Sequence, residues 1–296
     1  MKRLLKKTQG LIVQFDYHKT RFKLLYIGIL IFLSLALVVT IFPPVWLILS
    51  SFKSAREIYQ VPFTLWPDSL DFSKVSDVWN MLDFSKYYVN SIIVTLGAVL
   101  TSIVFNGLLA YAISIIKPAG YKIVFALVMA SLMIPPILNM GTLFNYIVKL
   151  NMINSLLPLA LLFGANPFYF ILFKTYFDSL PEALFEAARI DGANRLQVFT
   201  MIVLPLSKPI LAVVSIFTLT AAWSDFLLPF LVLQSDSKQT VMVKIYQLYN
   251  DMGTSMGFGP DSLLMVIAFS IVPPVILFFI FQRHITSTVA TTGIRE

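Results

Sequence analysis

Cysteine is absent from the 296 residues, so neither a disulfide framework nor a thiolate-held metal or cluster is available. Histidine is almost as scarce: His18 and His284 sit near opposite termini and leave little from which to build a metal site. Charge is the third shortage. Asp, Glu, Lys and Arg make up 12% of the chain and hydrophobic residues 58%, where a soluble domain carries roughly 25% and 45–50%. So few charged groups cannot give a globule of this length a water-compatible surface, and the high hydrophobicity excludes a disordered chain as well. Catalytic signatures are missing too. There is no G-x-x-x-x-G-K-[ST] phosphate loop, no G-x-G-x-x-G, no H-E-x-x-H and no G-x-S-x-G.

What is present is a set of long apolar runs. Charge-free segments span Leu24 to Phe52, Tyr87 to Ile116, Ile123 to Val148, Leu150 to Phe173 and Ser262 to Gln282. A sixth starts at Pro209, meets its first charge at Asp225 and stays apolar through Leu233. A bilayer asks for about 20 apolar residues per helix, and open strands cannot cross it with unpaired backbone groups. Alternating segments of the barrel type are missing. The chain is therefore expected to be an all-α membrane protein with six transmembrane helices. The first span is read as a permanent helix, since it is too long for a signal core and no A-x-A site follows it.

The bases set an orientation. Seven lie in the head, residues 1–23, and Lys117, Lys122, Lys174, Arg189, Arg195, Lys208, Arg283 and Arg295 fall on the same side. The other side holds Lys53, Arg56, Lys74, Lys86, Lys149, Lys238 and Lys244. The positive-inside rule puts both termini in the cytoplasm and accounts for the net charge of +7 without a nucleic-acid partner. The expected plan is a basic head (1–23), a transmembrane domain (24–282) and a cytoplasmic tail (283–296). Outer loops occupy 53–86 and 234–261, and the largest inner loop lies within 178–208.

Asp225 is the one acid inside a span, with Lys174 at an inner edge. Ion-driven carriers keep charged relay groups in their spans. A single acid near the outer end is read as hydrogen-bonded to a neighbour or wetted by a cavity rather than as a proton relay. A membrane-embedded enzyme would need polar groups clustered at one depth, and none are seen.

The inner loop is different in character. Ser179 and Glu182 are spaced as a capping box with Pro181 in the first turn, Ala183, Ala187 and Ile190 recur at helical spacing, and Asp191-Gly192 supplies a stop. A second amphipathic run, Leu196 to Leu204, ends at Pro205 and Pro209. The expectation is a short helix-turn-helix on the cytoplasmic face, offering a stripe of small residues to another surface.

This run resembles a known family. Glu186-Ala187-Ala188, three residues, Gly192, nine residues, Ile202, one residue, Leu204-Pro205 matches the E-A-A-x3-G-x9-I-x-L-P loop of importer-type ABC permeases without a gap. Asn90-Ser91, Ala110-Tyr111-Ala112, Ile134-Pro135, Ile190-Asp191-Gly192-Ala193, Pro205-Leu206-Ser207-Lys208-Pro209, Trp223-Ser224-Asp225-Phe226 and Gln282-Arg283 are similar to the MalG-type subunits of carbohydrate importers. The chain departs from that pattern at Ser224, where the family usually has Asn, and at its Gly293-Ile294-Arg295-Glu296 end.

The resemblance implies a type I importer permease (MetI-like) bundle in a bacterial plasma membrane. The loop would be a coupling helix docked on a separate ATPase, with Glu186, Ala187, Ala188, Asp191, Gly192, Leu204 and Pro205 as the coupling set. It implies a sugar cargo, a second homologous permease, two ATPase subunits, an extracytoplasmic solute-binding protein and surrounding lipid. It implies no cofactor on this chain, with ATP and Mg held by the ATPase. The second outer loop, with Gly253, Gly257 and Gly259, would reach the binding protein. Phe105, Tyr111, Trp223 and Asp225 are candidates for the substrate path. Amino-acid, phosphate or peptide cargo stays open, as does, more remotely, an ion-coupled carrier.

Overall fold

The computed structural model describes residues 20–252 and 258–292 and contains no strand among them. The basic head through residue 19, Gly253 and Gly257 in the second outer loop, and the last four residues lie outside the described residues. The chain divides into two compact units, Met1–Asp71 and Phe72–Glu296.

In the first unit, α1 (Thr20–Ser51) is apolar on every side, and its side chains from Lys23 to Val45 are exposed. An all-round apolar helix exposed over so long a stretch belongs in lipid. Its apolar stretch of 29 residues rises roughly 43 Å, enough to cross a 30 Å hydrocarbon core with tilt. After it, Ser54 caps α2 (Ala55–Ile58) through a reciprocal box with Glu57. The Glu57 carboxylate accepts from the backbone N–H of Ser54 at 2.6 Å and of Asp68 at 2.7 Å. Those bonds hold its pKa down at about 2.

The second unit is organised on α4 (Phe84–Ile116), which follows the short α3 (Ser73–Met81). One face of α4 is buried along its whole length, from Tyr87, Asn90 and Ser91 through Val94 and Ala98 to Asn106 and Tyr111. Gly97 lets α7 (Leu157–Ala165) approach closely, since a Cβ there would lie 2.9 Å from the Cβ of Ala160. Thr101 seals the contact by donating to the Ala160 carbonyl at 2.6 Å. The chain breaks between α7 and α8 (Pro167–Asp178), with a bend of 47°. Asn106 meets the backbone groups freed there. It donates to the Phe163 carbonyl at 2.9 Å and accepts from the Asn166 N–H at 3.0 Å. A break inside lipid is tolerable only where such partners exist.

Two further breaks follow. The pair α5 (Tyr121–Ser131) and α6 (Pro136–Lys149) is bent by 97°. Beyond α9 (Glu182–Ile190), the pair α10 (Arg195–Leu206) and α11 (Lys208–Ser224) is bent by 81°. The chain continues through α12 (Leu227–Val232) and α13 (Val241–Asn250) to α14 (Pro260–Thr292). Among the described residues three unbroken helices are long and apolar enough to cross a membrane, or up to six, the expected count, if each bent pair is one span.

The boundaries differ from the expected ones in three places. Ile123–Val148 is not one helix: Pro135 and Pro136 stand at the break, where the first residue of each X-Pro pair is driven out of the helical region. Residues 150–156 are loop, and the helical part of that span begins at Leu157 and runs past Phe173 to Asp178. The sixth segment does not run helically to Leu233, because α11 ends at Ser224 and Asp225 is extended (φ −66°, ψ 128°).

Candidate functional site

The α8–α9–α10 corner is built from the inside outward. Phe185 and Ala188 on α9 sink into a cluster with Phe173 and Phe177 of α8, Tyr111 and Ile113 of α4, and Val198, Phe199 and Val203 of α10. Their spacing of three leaves the opposite face of α9 free. Ala183, Glu186, Ala187 and Ile190 are exposed there, Ile190 by 86%. The Glu186 carboxylate makes no hydrogen bond or ion pair with the described residues.

Asp191 and Gly192 end α9 as expected. Gly192 has φ +78°; its N–H donates to the Arg189 carbonyl at 3.1 Å, and that of Ala193 donates to the Ala188 carbonyl at 2.9 Å. These are the two bonds of a Schellman stop. The start of α9 differs. Ser179 does not cap it: its Oγ donates back to the Tyr176 carbonyl at 2.6 Å, and Pro181 occupies the cap position without a side-chain bond. Ser179 still has helical backbone and closes α8, so it is one element too early to open the next. The capping box lies instead at Asn194 and Gln197, which exchange bonds of 2.9 and 2.8 Å and restart the chain as α10 immediately after the turn. Its N-x-x-Q spacing was visible in the sequence.

Of the expected coupling set, Glu186, Ala187, Asp191 and Gly192 are exposed. A depression of about 510 Å³ beside α9 has Ala187, Ala188, Asp191 and Gly192 in its wall, with Leu184 and Met201. Leu204 packs on the inner cluster, and Pro205 is exposed near the far end of α10.

The expected substrate-path residues do not converge. Tyr111 is 4% exposed; its ring lies 5.2 Å from Phe199 and its hydroxyl donates to the Arg195 carbonyl at 2.9 Å. It therefore anchors the corner. Trp223 is 5% exposed, donates from Nε1 to the Ser270 carbonyl at 3.0 Å and meets Tyr88 edge-on at 5.5 Å. Phe105 lies against Gly164, half exposed. Asp225 is half-buried at the break, facing the backbone N–H groups of Phe226 and Leu228. Gly259 sits just before α14, where its carbonyl accepts from the Leu263 N–H at 3.1 Å.

At the opposite end of α4 the structure shows a latch that has no local sequence signal. Asp236 pairs with Lys86 and Lys244 at 2.8 Å each and accepts from the Tyr87 hydroxyl at 2.8 Å. Partial burial works to raise the Asp236 pKa, but the bonds from Lys244, Lys86 and Tyr87 win and hold it well below the usual carboxylate range. Asn90 and Ser91 complete the latch. Asn90 donates to the Ser237 and Gln239 carbonyls at 3.0 and 2.9 Å, and Ser91 accepts from the Val241 N–H at 2.9 Å. The segment after α12 is thus pinned to one end of α4, and the α8–α10 corner to the other. Among the described residues no group of three or more His, Asp or Glu could hold a metal.

Residues 102–291 match the family described as binding-protein-dependent transport system inner membrane component. The chain is 31% identical over 257 residues to the diacetylchitobiose uptake system permease protein NgcG of Streptomyces coelicolor, covering 86% of this chain and 83% of that one. It is 31% identical over 260 residues to the arabinooligosaccharides transport system permease protein AraQ of Halalkalibacterium halodurans, covering 87% and 92%. The fold is shared with a crystal structure of a bacterial ABC transporter involved in the import of the acidic polysaccharide alginate, at a TM-score of 0.80 and 23% identity, over 93% of this chain and 99% of that one.

Proposed function

Because the chain belongs to the binding-protein-dependent transport system inner membrane component family, we propose that it is one permease subunit of a bacterial ABC importer whose cargo is a sugar, most simply an oligosaccharide. Permeases of this family are not enzymes; ATP is hydrolysed on a separate ATPase, and ATPase and binding-protein partners accompany them. The location is a membrane. The finer reading adds a second homologous permease, two ATPase copies with their own ATP and Mg, no cofactor on this chain, and both termini in the cytoplasm.

The observation that carries the reading is the exposed Glu186–Ala187–Ile190 face of α9, backed by a packed cluster that ties it to the ends of α4 and α8. Such an element accepts a push and passes it on. A mobile loop would absorb the push in local rearrangement; one seated by Phe185 and Ala188 transmits it to the spans as rigid-body motion. The coupling set Glu186, Ala187, Asp191 and Gly192 would meet the ATPase. Gly253, Gly257 and Gly259 would face the binding protein, and Phe105 and Asp225 would border the path of the sugar. The names of the relatives, a diacetylchitobiose and an arabinooligosaccharide permease, support sugar as cargo.

Uptake by membrane vesicles carrying the whole importer, fed with ATP and labelled oligosaccharide, tests this. Uptake should persist when a protonophore is added at constant ATP. Glu186→Lys should abolish it and release the ATPase while the permease stays in the membrane. Uptake that stops with the protonophore would favour the ion-driven carrier, with Asp225 the first suspect. Normal uptake by Glu186→Lys would remove the coupling assignment.

A further inference from the structure

The cleft between the end of α4 and the α9–α10 corner contains two arginines and no acid. It encloses about 250 Å³, walled chiefly by Tyr111, Ile115, Ile116, Phe185, Arg189 and Arg195. Neither guanidinium forms a hydrogen bond or ion pair with another described residue, and both lie near enough to the Tyr111 phenol to act on it electrostatically. The adjoining cleft of about 240 Å³ is of another kind, since Asp178 and Glu182 stand there beside Lys117 and Arg189. Arg195 has no such counter-charge in its own cleft.

Two like charges lining one partly apolar cleft repel each other, and an anion between them would remove the repulsion. Guanidinium groups present planar donor forks that suit phosphate oxygens. The apolar part of the wall says where that phosphate comes from. Ile115 and Ile116 are the last residues of a 33-residue apolar span, so the cleft opens where hydrocarbon gives way to headgroups. Basic pockets between spans at that level take anionic lipid headgroups.

We propose that this cleft binds the phosphate of an anionic phospholipid. Arg189 and Arg195 grip the headgroup, and Ile115 and Ile116 lie along the upper acyl chain. The bound lipid ties the α9–α10 corner to the membrane surface on the flank of α9, leaving the Glu186 face clear. The site depends on neither cargo nor ATPase, so it is tested without transport.

The purified full importer is placed in nanodiscs of equal phosphatidylglycerol and phosphatidylcholine, re-extracted, and its retained lipids are counted by mass spectrometry. The wild type should keep phosphatidylglycerol over phosphatidylcholine by about tenfold. Arg189→Gln with Arg195→Gln should bring the ratio close to one, and Arg189→Lys with Arg195→Lys should keep an intermediate preference and show that the corner still folds. If the double Gln variant does not assemble, the single Arg195→Gln variant should show a partial loss. Equal retention by the wild type and whichever Gln variant assembles would overturn the proposal. So would loss of the lipid to millimolar inorganic phosphate, which would make this a site for a soluble anion.

Discussion

At Gly192 a single backbone angle sets how α9 hands over to α10. A Cβ built there meets nothing within 4 Å, so the glycine is required by its φ of +78° and not by space. Gly192→Val should cost about 1–2 kcal/mol of local backbone strain with no steric clash. The expected result is reduced ATP-driven uptake with normal insertion, read by uptake assay and membrane fractionation; wild-type uptake would show that the turn does not need glycine. Asp236 makes the second residue-scale prediction. Its carboxyl titrates lower in the folded chain than free, so its contribution is complete above the free carboxylate pKa of roughly 3.9 and fades as pH falls toward the depressed folded value. Hydrogen exchange of residues 233–250 should therefore be flat, apart from the intrinsic rate, from roughly pH 8 down to pH 5. It should rise at neutral pH in Asp236→Asn. These two residues differ in legibility. Asp-Gly after a periodic run is a stop signal in any sequence, whereas Lys86 and Asp236 lie 150 positions apart and nothing local connects them.

Elements explain more of the difference between expectation and structure. The apolar runs gave six spans of correct character, because hydropathy measures composition. It does not measure direction, and so the 97° bend between α5 and α6 was hidden. Proline did not settle the matter either. Pro43-Pro44 and Pro273-Pro274 lie inside continuous helices, while Pro135-Pro136 stands at a break. The same dipeptide does both, and the surroundings decide which. Within the α8–α10 corner, the exposed stripe on α9 was legible from spacing, but the anchoring of that stripe by Tyr111 was not. Tyr111 is a sugar-stacking candidate by residue type, and nothing local in the sequence signals the bond from its hydroxyl to the Arg195 carbonyl. The seat of α9 can be tested through Phe185, which is buried among α4, α8 and α10. Phe185→Ala should destabilise the corner by about 3 kcal/mol. Trypsin, which cuts after Arg189 and Arg195, should then cleave inverted vesicles faster at both sites. An unchanged cleavage rate would mean that the corner is held elsewhere.

For the whole molecule, the question is which end of α4 faces the cytoplasm. Lys86 and Lys244 pair with Asp236 at one end of that helix, and Lys117 lines a cleft with Asp178 and Glu182 at the other. The cysteine-free chain makes the test direct. A cysteine at Ser237, which is exposed, should react with an impermeant thiol reagent in intact cells. One at Ile190, in cells lacking the ATPase subunits, should react only after permeabilisation. The reverse pattern would invert the orientation and take the coupling assignment with it.

Asn90 grips the segment after α12 and Tyr111 grips the α8–α10 corner, and both belong to one helix. Twenty-one residues separate them, roughly 32 Å at 1.5 Å per residue. A push on α9 that tilts the lower end of that rod must displace its upper end, and with it the strap that Asp236 fastens. On the proposed reading, news of ATP on one side of the membrane would reach the other as the swing of one beam, with no chain of side-chain rearrangements needed to relay it.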